Sequence, residues 1–372
     1  MSLQKNAGAA WSFGKLVKFS AWLLNLPNKL TPPPFRLMQI GSAFWQSQAL
    51  YVAARLDIAT VLADATLDAD QIAARIAADP DATWRLLRML AAMGIFEEIA
   101  PRRFANNRMS AFLRQDNPQN VRAMILMHNS ETMSRPWIEQ LEPGIKRGEA
   151  PFELAHGETM YAYMDRHEDF DALFAKAMDS VEALSGDSFA TDFDWGRFER
   201  VIDIGGSKGS KAVTILKRHP HLKALVVDRL QVIRNAERYW VGKADSALLD
   251  RLSFAAGDLL VSVPPAKDDK DIFLLSAVLH GFDDDTSIRV LKKLVAAVGN
   301  TGARIALMEM LLDEAQVDLV GATFDMQMFM GTRGRERTLG EWRNLFERSG
   351  VMLEEIVGLR SFGKILVLRR SS

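Results

Sequence analysis

The sequence predicts an α/β protein in which a helical domain precedes a Rossmann-like sheet. The chain has 372 residues, more than one hydrophobic core usually contains, which favours two domains. Helical periodicity dominates up to about residue 190, and short β-type runs alternate with helical runs after Trp195. The last two strand-like runs are joined by a tight turn, so they must pair antiparallel.

Composition and charge exclude several classes of function. Apolar residues make up 48% and charged residues 25%, as in ordinary soluble globular proteins. The 46 basic and 47 acidic residues give a net charge of -1, so no overall basic field attracts nucleic acid or anionic lipid. The chain has no cysteine, which excludes disulfides, thiol nucleophiles and thiolate metal sites, and we predict no bound metal.

Residues 1–34 are predicted to form an N-terminal arm that ends at the prolines of positions 32–34. The apolar run 19–26 faintly resembles a signal peptide. It is short, contains Asn25 and is followed by no small-residue cleavage site. No later stretch reaches the length of a membrane span. We therefore expect a cytoplasmic protein whose arm forms an amphipathic helix over a neighbouring surface.

Two helical regions follow the arm. Residues 35–115 read as a winged helix: segments 67–76 and 79–90 predict short helices, and the residues around 94–107 predict a small β-wing. Residues 116–190 form a helical linker rich in Met and aromatic side chains. Met and aromatic side chains at helical spacing usually pack in a hydrophobic core, but as a group these could also line an apolar pocket.

Residues 191–372 are predicted to form a parallel sheet with crossover helices. The predicted parallel strands are 201–204, 224–228, 252–256, 271–275 and 304–309. Residues 354–359 and 364–369 then form an antiparallel pair around a turn at 361–363.

The first of these strands runs into a glycine-rich turn and then a helix. Gly205, Gly206 and Gly209 permit unusual backbone angles and close approach of a ligand, and the amides of the following helix can hold a carboxylate. The glycines occupy the first, second and fifth positions of the turn, whereas a dinucleotide fingerprint needs the first, third and sixth. This spacing argues against NAD. Taken alone, this glycine-rich turn could also be a tight strand-to-helix connection that binds no ligand.

Three carboxylates at successive strand ends strengthen the ligand interpretation. Asp203 precedes the turn and can pair with a cationic amino group. Asp228 ends the next strand, where a carboxylate can accept both hydroxyls of a ribose, and Asp258 follows the third strand, where it can bind an adenine amino group. A single strand-end Asp is often only a turn or cap residue. Three in order favour a binding site at one edge of the sheet.

From about residue 39 to residue 369 the chain resembles the small-molecule O-methyltransferases that use S-adenosyl-L-methionine (SAM). This family includes plant caffeate enzymes, acetylserotonin methyltransferase and bacterial antibiotic-pathway enzymes. The segments that carry the resemblance are 135–137, 174–178, 201–206, 257–259, 278–284, 334–338 and 341–342. The antiparallel C-terminal pair is also typical of the class I methyltransferase sheet.

The resemblance implies a SAM site formed by the three glycines and three carboxylates above. We expect Leu259 and Ser276 to contact the cofactor, and Met178, Phe324 and Met328 to line the substrate pocket. In this family the front domain packs against a second subunit, which implies a homodimer that acts on a small molecule.

The resemblance also implies the catalytic residues. SAM carries an already activated methyl group, so the protein must position an oxygen nucleophile and remove its proton. The implied base is His280, with Glu309 and Glu336 flanking the ring and orienting or polarising it. For the other five histidines we expect structural roles.

Four positions depart from the family pattern. Gly281 replaces the acidic residue that often follows the histidine, and Lys208 places a cation in the glycine turn. Ser276 replaces a basic residue, and Arg229 follows Asp228 where an apolar residue is usual. Relatives of this fold use SAM for C-methylation or for hydroxylase-type or decarboxylase-type chemistry, which is the alternative function.

A winged-helix DNA-binding regulator is the remaining alternative. Its recognition helix would be residues 82–90, which carry only Arg85 and Arg88 among apolar residues. Base reading needs an exposed polar face surrounded by phosphate contacts. The sequence therefore favours dimerisation over DNA binding.

Overall fold

The computed structural model describes residues 2–315, 317–361 and 363–371. They form two compact units, one of residues Leu23–Leu184 and one of the described residues of Met1–Trp22 and Ser185–Ser372. Among the described residues, no helix is both long enough and apolar enough to cross a membrane.

The helical unit contains most of the short helices and one small sheet. Its helices are α1 Ala7–Leu30, which begins in the other unit, α2 Pro33–Gly41, α3 Ala43–Arg55, α4 Ile58–Leu62, α5 Ala69–Arg75, α6 Pro80–Ala92, α7 Arg122–His128, α8 Glu131–Arg135, α9 Leu141–Arg147, α10 Pro151–His156, α11 Met160–Arg166 and α12 Glu168–Ser185. A 3-10 turn Ser110–Leu113 and a π-helical turn Pro136–Gln140 connect some of them. Its strands are β1 Leu67–Asp68, β2 Phe96–Ala100 and β3 Arg103–Asn106.

The structure confirms the winged helix. Strands β2 and β3 form an antiparallel hairpin, and β1 pairs with β3. The predicted helix from residue 67 begins only at Ala69, since Leu67–Asp68 forms β1. Asp68 caps α5: its carboxylate accepts the amide of Gln71 at 2.8 Å, and the Gln71 side chain accepts the Asp68 amide.

The second unit is the predicted α/β domain. Its strands are β4 Arg200–Ile204, β5 Lys223–Asp228, β6 Leu252–Ala256, β7 Asp271–Ser276, β8 Arg304–Glu309, β9 Leu311–Leu312, β10 Arg337–Thr338, β11 Val351–Gly358 and β12 Lys364–Arg370. Its helices are α13 Ser188–Asp192, α14 Ser210–Arg218, α15 Leu230–Trp240, α16 Ser246–Leu249, α17 Asp284–Val298, α18 Leu319–Gly331 and α19 Leu339–Ser349.

The main sheet has the order β11-β12-β8-β7-β4-β5-β6. Strands β8, β7, β4, β5 and β6 are parallel, while β12 pairs antiparallel with both β8 and β11. This confirms the predicted sheet and its C-terminal hairpin; Phe362, in the predicted turn, lies outside the described residues. The strand order reverses between β4 and β7, and ligands of open α/β sheets bind at such a switch point.

Alternate residues of each central strand enter opposite cores. On β7, Ile272 and Leu274 belong to one buried cluster, and Phe273 and Leu275 belong to the other. A helix layer covers each face of the sheet, so β7 is apolar on both sides. Because helices cover both faces of the sheet, a ligand can reach the strands only at their ends, and in open α/β sheets it binds at the carboxyl ends.

The start of the predicted arm packs on the α/β unit. Leu3 is buried in its core, and the Leu3 amide donates to the Glu355 carboxylate at 2.8 Å. Gln4 pairs with Phe193 in an isolated bridge, and its side chain donates to the Gly358 carbonyl. The apolar run 19–26 is helical, as predicted, within α1.

Candidate functional site

The glycine turn lies between β4 and α14, at the switch point. Gly205 and Gly209 have positive φ values of 70° and 79°. A Cβ atom at Gly206 would lie 2.6 Å from the carboxyl carbon of Asp203, and 2.9 Å from Val226. Asp203 itself is 1% exposed. Position 206 therefore requires glycine, because any side chain would displace the buried carboxylate.

Asp228 connects the end of β5 to this turn. One carboxylate oxygen accepts the Ser207 amide at 2.8 Å, and the other accepts the Arg229 amide at 2.7 Å. Burial raises the pKa of Asp228, and these two backbone hydrogen bonds oppose the increase. Each carboxylate oxygen keeps a second lone pair for another donor.

The remaining predicted cofactor residues also follow strand ends. Asp258 comes after β6, is exposed, and accepts the Leu260 amide at 2.8 Å. Leu259 is partly buried against the core, and Ser276 is the last residue of β7. Parallel strands place all of these residues at one edge of the sheet.

Lys208 lies in the turn but its ammonium group packs on an aromatic ring. The Nζ atom is 4.3 Å from the ring centroid of Tyr239. The Lys208 carbonyl accepts the indole N–H of Trp240 at 2.6 Å. These contacts tie the glycine turn to the C-terminal end of α15.

His280 lies in a 3-10 turn, Leu279–Gly281, just after β7. Its Nδ1 is 2.7 Å from Oε1 of Glu336, a residue with 2% exposure. A carboxylate partner requires the proton on Nδ1, so that Nδ1–H donates to Glu336. Among the described residues, Nε2 has no hydrogen-bond partner, and in the neutral ring it carries a lone pair.

Charges around the ring determine how readily His280 holds a second proton. Burial lowers the pKa of His280, but the Glu336 hydrogen bond and the charges of Glu309 and Glu336 outweigh burial. Arg337 acts in the lowering direction, and the net result is a raised pKa. The ring is therefore a stronger base than an ordinary histidine.

Glu309 ends β8 and bonds to the backbone of the turn. Its Oε1 accepts the amides of Val278 at 3.2 Å and Leu279 at 3.0 Å. Burial raises the pKa of Glu309, which is 2% exposed. The two flanking carboxylates thus differ: Glu336 bonds to the ring of His280, and Glu309 bonds to the backbone before it.

Glu336 reaches His280 because the preceding segment lies directly on the turn. A Cβ atom at Gly334 would collide with the His280 carbonyl oxygen and would lie 2.6 Å from the carbonyl carbon of Gly281. The Glu336 amide donates to Asp325 of α18 at 2.9 Å. Gly334 therefore allows a close approach of two backbones that any side chain would prevent.

Sequence reasoning missed Arg337, although it lies in a segment that carried the family resemblance. Arg337 is 1% exposed and donates to the carbonyls of Leu279 at 3.1 Å and Phe282 at 2.8 Å. It also pairs with Asp284 at 2.8 Å. The only available signal was an arginine next to the glutamate in 334–338, which does not reveal its partners.

The predicted substrate residues lie on helices of both units. Phe324 and Met328 are four residues apart on one face of α18, with Phe324 45% exposed and Met328 partly buried. Met178 is partly buried on α12 of the helical unit.

Two family models match the chain. An O-methyltransferase domain model matches residues 138–352, and an O-methyltransferase dimerisation domain model matches residues 38–116. The chain is 31% identical to a phenazine O-methyltransferase of Lysobacter antibioticus, over 86% of this chain and 92% of the relative.

Two further similarities concern the acceptor atom and the cofactor. The chain is 30% identical to the phenazine-1-carboxylate N-methyltransferase of Pseudomonas aeruginosa, over 90% of this chain and 97% of the relative. A solved structure of CalO1, a methyltransferase of calicheamicin biosynthesis in its S-adenosylhomocysteine-bound form, has a TM-score of 0.76 and 26% identity, over 91% of this chain and 98% of that one.

Proposed function

Because the chain belongs to the SAM-dependent O-methyltransferase family, we propose that it methylates a hydroxyl of a largely apolar or aromatic small molecule with His280 as general base. One observation carries the proposal. The Nδ1 atom of His280 is held by buried Glu336, while Nε2 has no partner among the described residues. This is the arrangement that a positioned proton acceptor requires.

The residues present fit SAM. The Asp228 carboxylate at the end of β5 accepts one backbone amide on each oxygen, so each oxygen keeps a lone pair for a ribose hydroxyl. We assign the cofactor to Asp203, Gly205, Gly206, Gly209, Asp228, Asp258, Leu259 and Ser276. When bound, SAM supplies an activated methyl group on a sulfonium.

The protein's own contribution is to position the acceptor and to remove its proton. Nε2 of His280 accepts the proton of the acceptor hydroxyl as the oxygen becomes nucleophilic. Glu336 keeps the tautomer with the proton on Nδ1 and stabilises the imidazolium that forms. General base catalysis of this kind contributes roughly 10²–10⁴-fold to rate.

We propose that Phe324 and Met328, on one face of α18, line the substrate pocket. Long thioether and aromatic side chains adapt to ligands of different shape, which suits an apolar acceptor. The test is to incubate the enzyme with SAM and a set of hydroxylated aromatics, including a hydroxyphenazine, and to measure methylated product by mass spectrometry. No product from any acceptor, including molecules that co-purify with the protein, would overturn this function.

A second candidate changes the acceptor atom. Gly281 provides no carboxylate beside His280, and one relative is named as an N-methyltransferase. Methylation of nitrogen or carbon, or hydroxylase-type or decarboxylase-type chemistry, would keep the fold and SAM. Locating the new methyl group by NMR of the product distinguishes these reactions from O-methylation.

The assembly that we propose is a homodimer through the front domain. Residues 35–45 expose an unusual number of large apolar side chains within one chain, namely Phe35, Leu37, Met38, Ile40, Phe44 and Trp45. Most of these residues lie within the dimerisation domain match, which begins at residue 38. We assign residues 35–115 to dimerisation, 116–190 to a linker that lines the substrate site, and 191–372 to SAM binding.

A further inference from the structure

We propose that Arg337 is a positioning residue that holds the His280 turn in place for proton transfer. The inference deepens the proposed function, since a base must lie within hydrogen-bond reach of the proton that it accepts. It rests on hydrogen bonds from one side chain to three residues of the same segment: the carbonyls of Leu279 and Phe282, and the carboxylate of Asp284.

The turn is held from two sides. Its amides, at Val278 and Leu279, donate to Glu309. Its carbonyls, at Leu279 and Phe282, accept from the guanidinium of Arg337. His280 lies between these anchored residues, so its backbone has little freedom to move.

Arginine suits this role better than any other side chain. Its planar guanidinium presents five donors in a fixed geometry, whereas lysine offers a single ammonium point. Here Nη1 donates to Leu279, Nη2 donates to Phe282 and Asp284, and Nε donates to Asp284 at 3.0 Å. The guanidinium also lies 5.0 Å from the ring centroid of Trp342, which is buried.

Glu336, the residue before Arg337, also acts on His280. Glu336 bonds to the His280 ring and Arg337 bonds to its backbone, so consecutive residues determine both the orientation and the position of the imidazole. The charged groups that face the ring are Glu309, Glu336 and Arg337, while Asp284 pairs with Arg337 and Asp325 accepts the Glu336 amide. Glu309 and Glu336 raise the pKa of His280 and Arg337 lowers it, so removing the Arg337 charge should raise this pKa further.

The test compares Arg337→Met with Arg337→Lys by NMR of ¹³C-labelled histidine in the S-adenosylhomocysteine complex. His280→Gln identifies the resonance among the six histidines. Arg337→Met should raise the His280 pKa above the wild-type value and broaden the Nδ1–H signal. Arg337→Lys keeps the charge and should leave the pKa near the wild-type value.

Arg200→Met is the matched control. Arg200 donates to Asp271 at 2.9 Å, where β4 and β7 begin, at the opposite edge of the sheet from His280. Its loss should lower stability without moving the His280 titration. With a methylated acceptor in hand, both Arg337 variants should lose roughly 10²-fold in kcat, with the acceptor KM nearly unchanged.

The outcomes separate this inference from the proposed function. If Arg337→Met, or Arg337→Lys should Met not fold, has wild-type kcat and a wild-type His280 titration, the positioning role is wrong. If both Arg337→Met and Arg337→Lys broaden the Nδ1–H signal of His280 in a folded protein while the wild-type enzyme methylates no acceptor, the positioning role stands and the proposed function fails.

Discussion

The glycine turn after β4 and the histidine turn after β7 are neighbours at one edge of the sheet, yet they are built differently. The glycine turn spans residues 205–209 and is closed by its own backbone and the carboxylate of Asp228. The histidine turn depends on side chains from distant parts of the chain, Glu309, Glu336 and Arg337. The proposed cofactor site is thus built mainly from the backbone of one turn, whereas the proposed base is positioned by three side chains from distant parts of the chain.

The largest expected effect separates the two turns directly. His280→Ala should lower the turnover rate by ~10²–10⁴ because the proton acceptor is lost. The affinity for S-adenosylhomocysteine, measured by calorimetry, should remain nearly unchanged because the glycine turn is intact. Normal turnover of this variant would show that proton removal needs no histidine.

The next substitution, Asp228→Ala, acts on the glycine turn and tests cofactor binding. Asp228→Ala removes the acceptor of the Ser207 amide and, in the proposed SAM site, the acceptor of the ribose hydroxyls. It should weaken cofactor binding by about 1–3 kcal/mol. Asp250→Ala, at an exposed position just before β6, is the matched control and should leave cofactor binding unchanged. Equal losses in calorimetry would contradict the assigned importance of Asp228.

The pH dependence sharpens the histidine side of the comparison. The folded pKa of His280 is raised, so the neutral base is lost as pH falls through a value above the ordinary one of about 6.5. Glu336→Gln removes a charge that raises this pKa, so the acid limb of the kcat profile should move to lower pH. The rate at the optimum should fall roughly tenfold, since a neutral acceptor holds the ring more weakly. An acid limb that stays in place would argue against Glu336 as the partner.

The smallest effect on chemistry is expected from the exposed apolar side chains of the helical unit. The wild-type protein should have a light-scattering mass of two 41.6 kDa chains. Replacing both Phe44 and Trp45 with Asp should shift the mass toward one chain, because these exposed rings are assigned to the interface. Val241→Asp, at a residue 75% exposed in the α/β unit, is the control and should leave the dimer intact.

The order of elements was predictable because it depends on periodicity. Strands apolar on both faces, such as β7, stand out from the amphipathic helices between them. The start of α5 was misplaced by two residues because β1 forms only through pairing with β3. A strand of two residues, Leu67 and Asp68, is too short to show the alternation that would distinguish it from a helix.

For the site, sequence by itself determined which residues stand at strand ends and where the turn after β4 needs glycine. Asp203, Asp228 and the glycine turn needed only spacing, since parallel strands bring their carboxyl ends together. The roles of Glu309 and Arg337 were decided only by tertiary structure. Both bind main-chain atoms of the turn, and every residue carries the same amides and carbonyls, so no sequence pattern marks which ones a distant buried charge will bind.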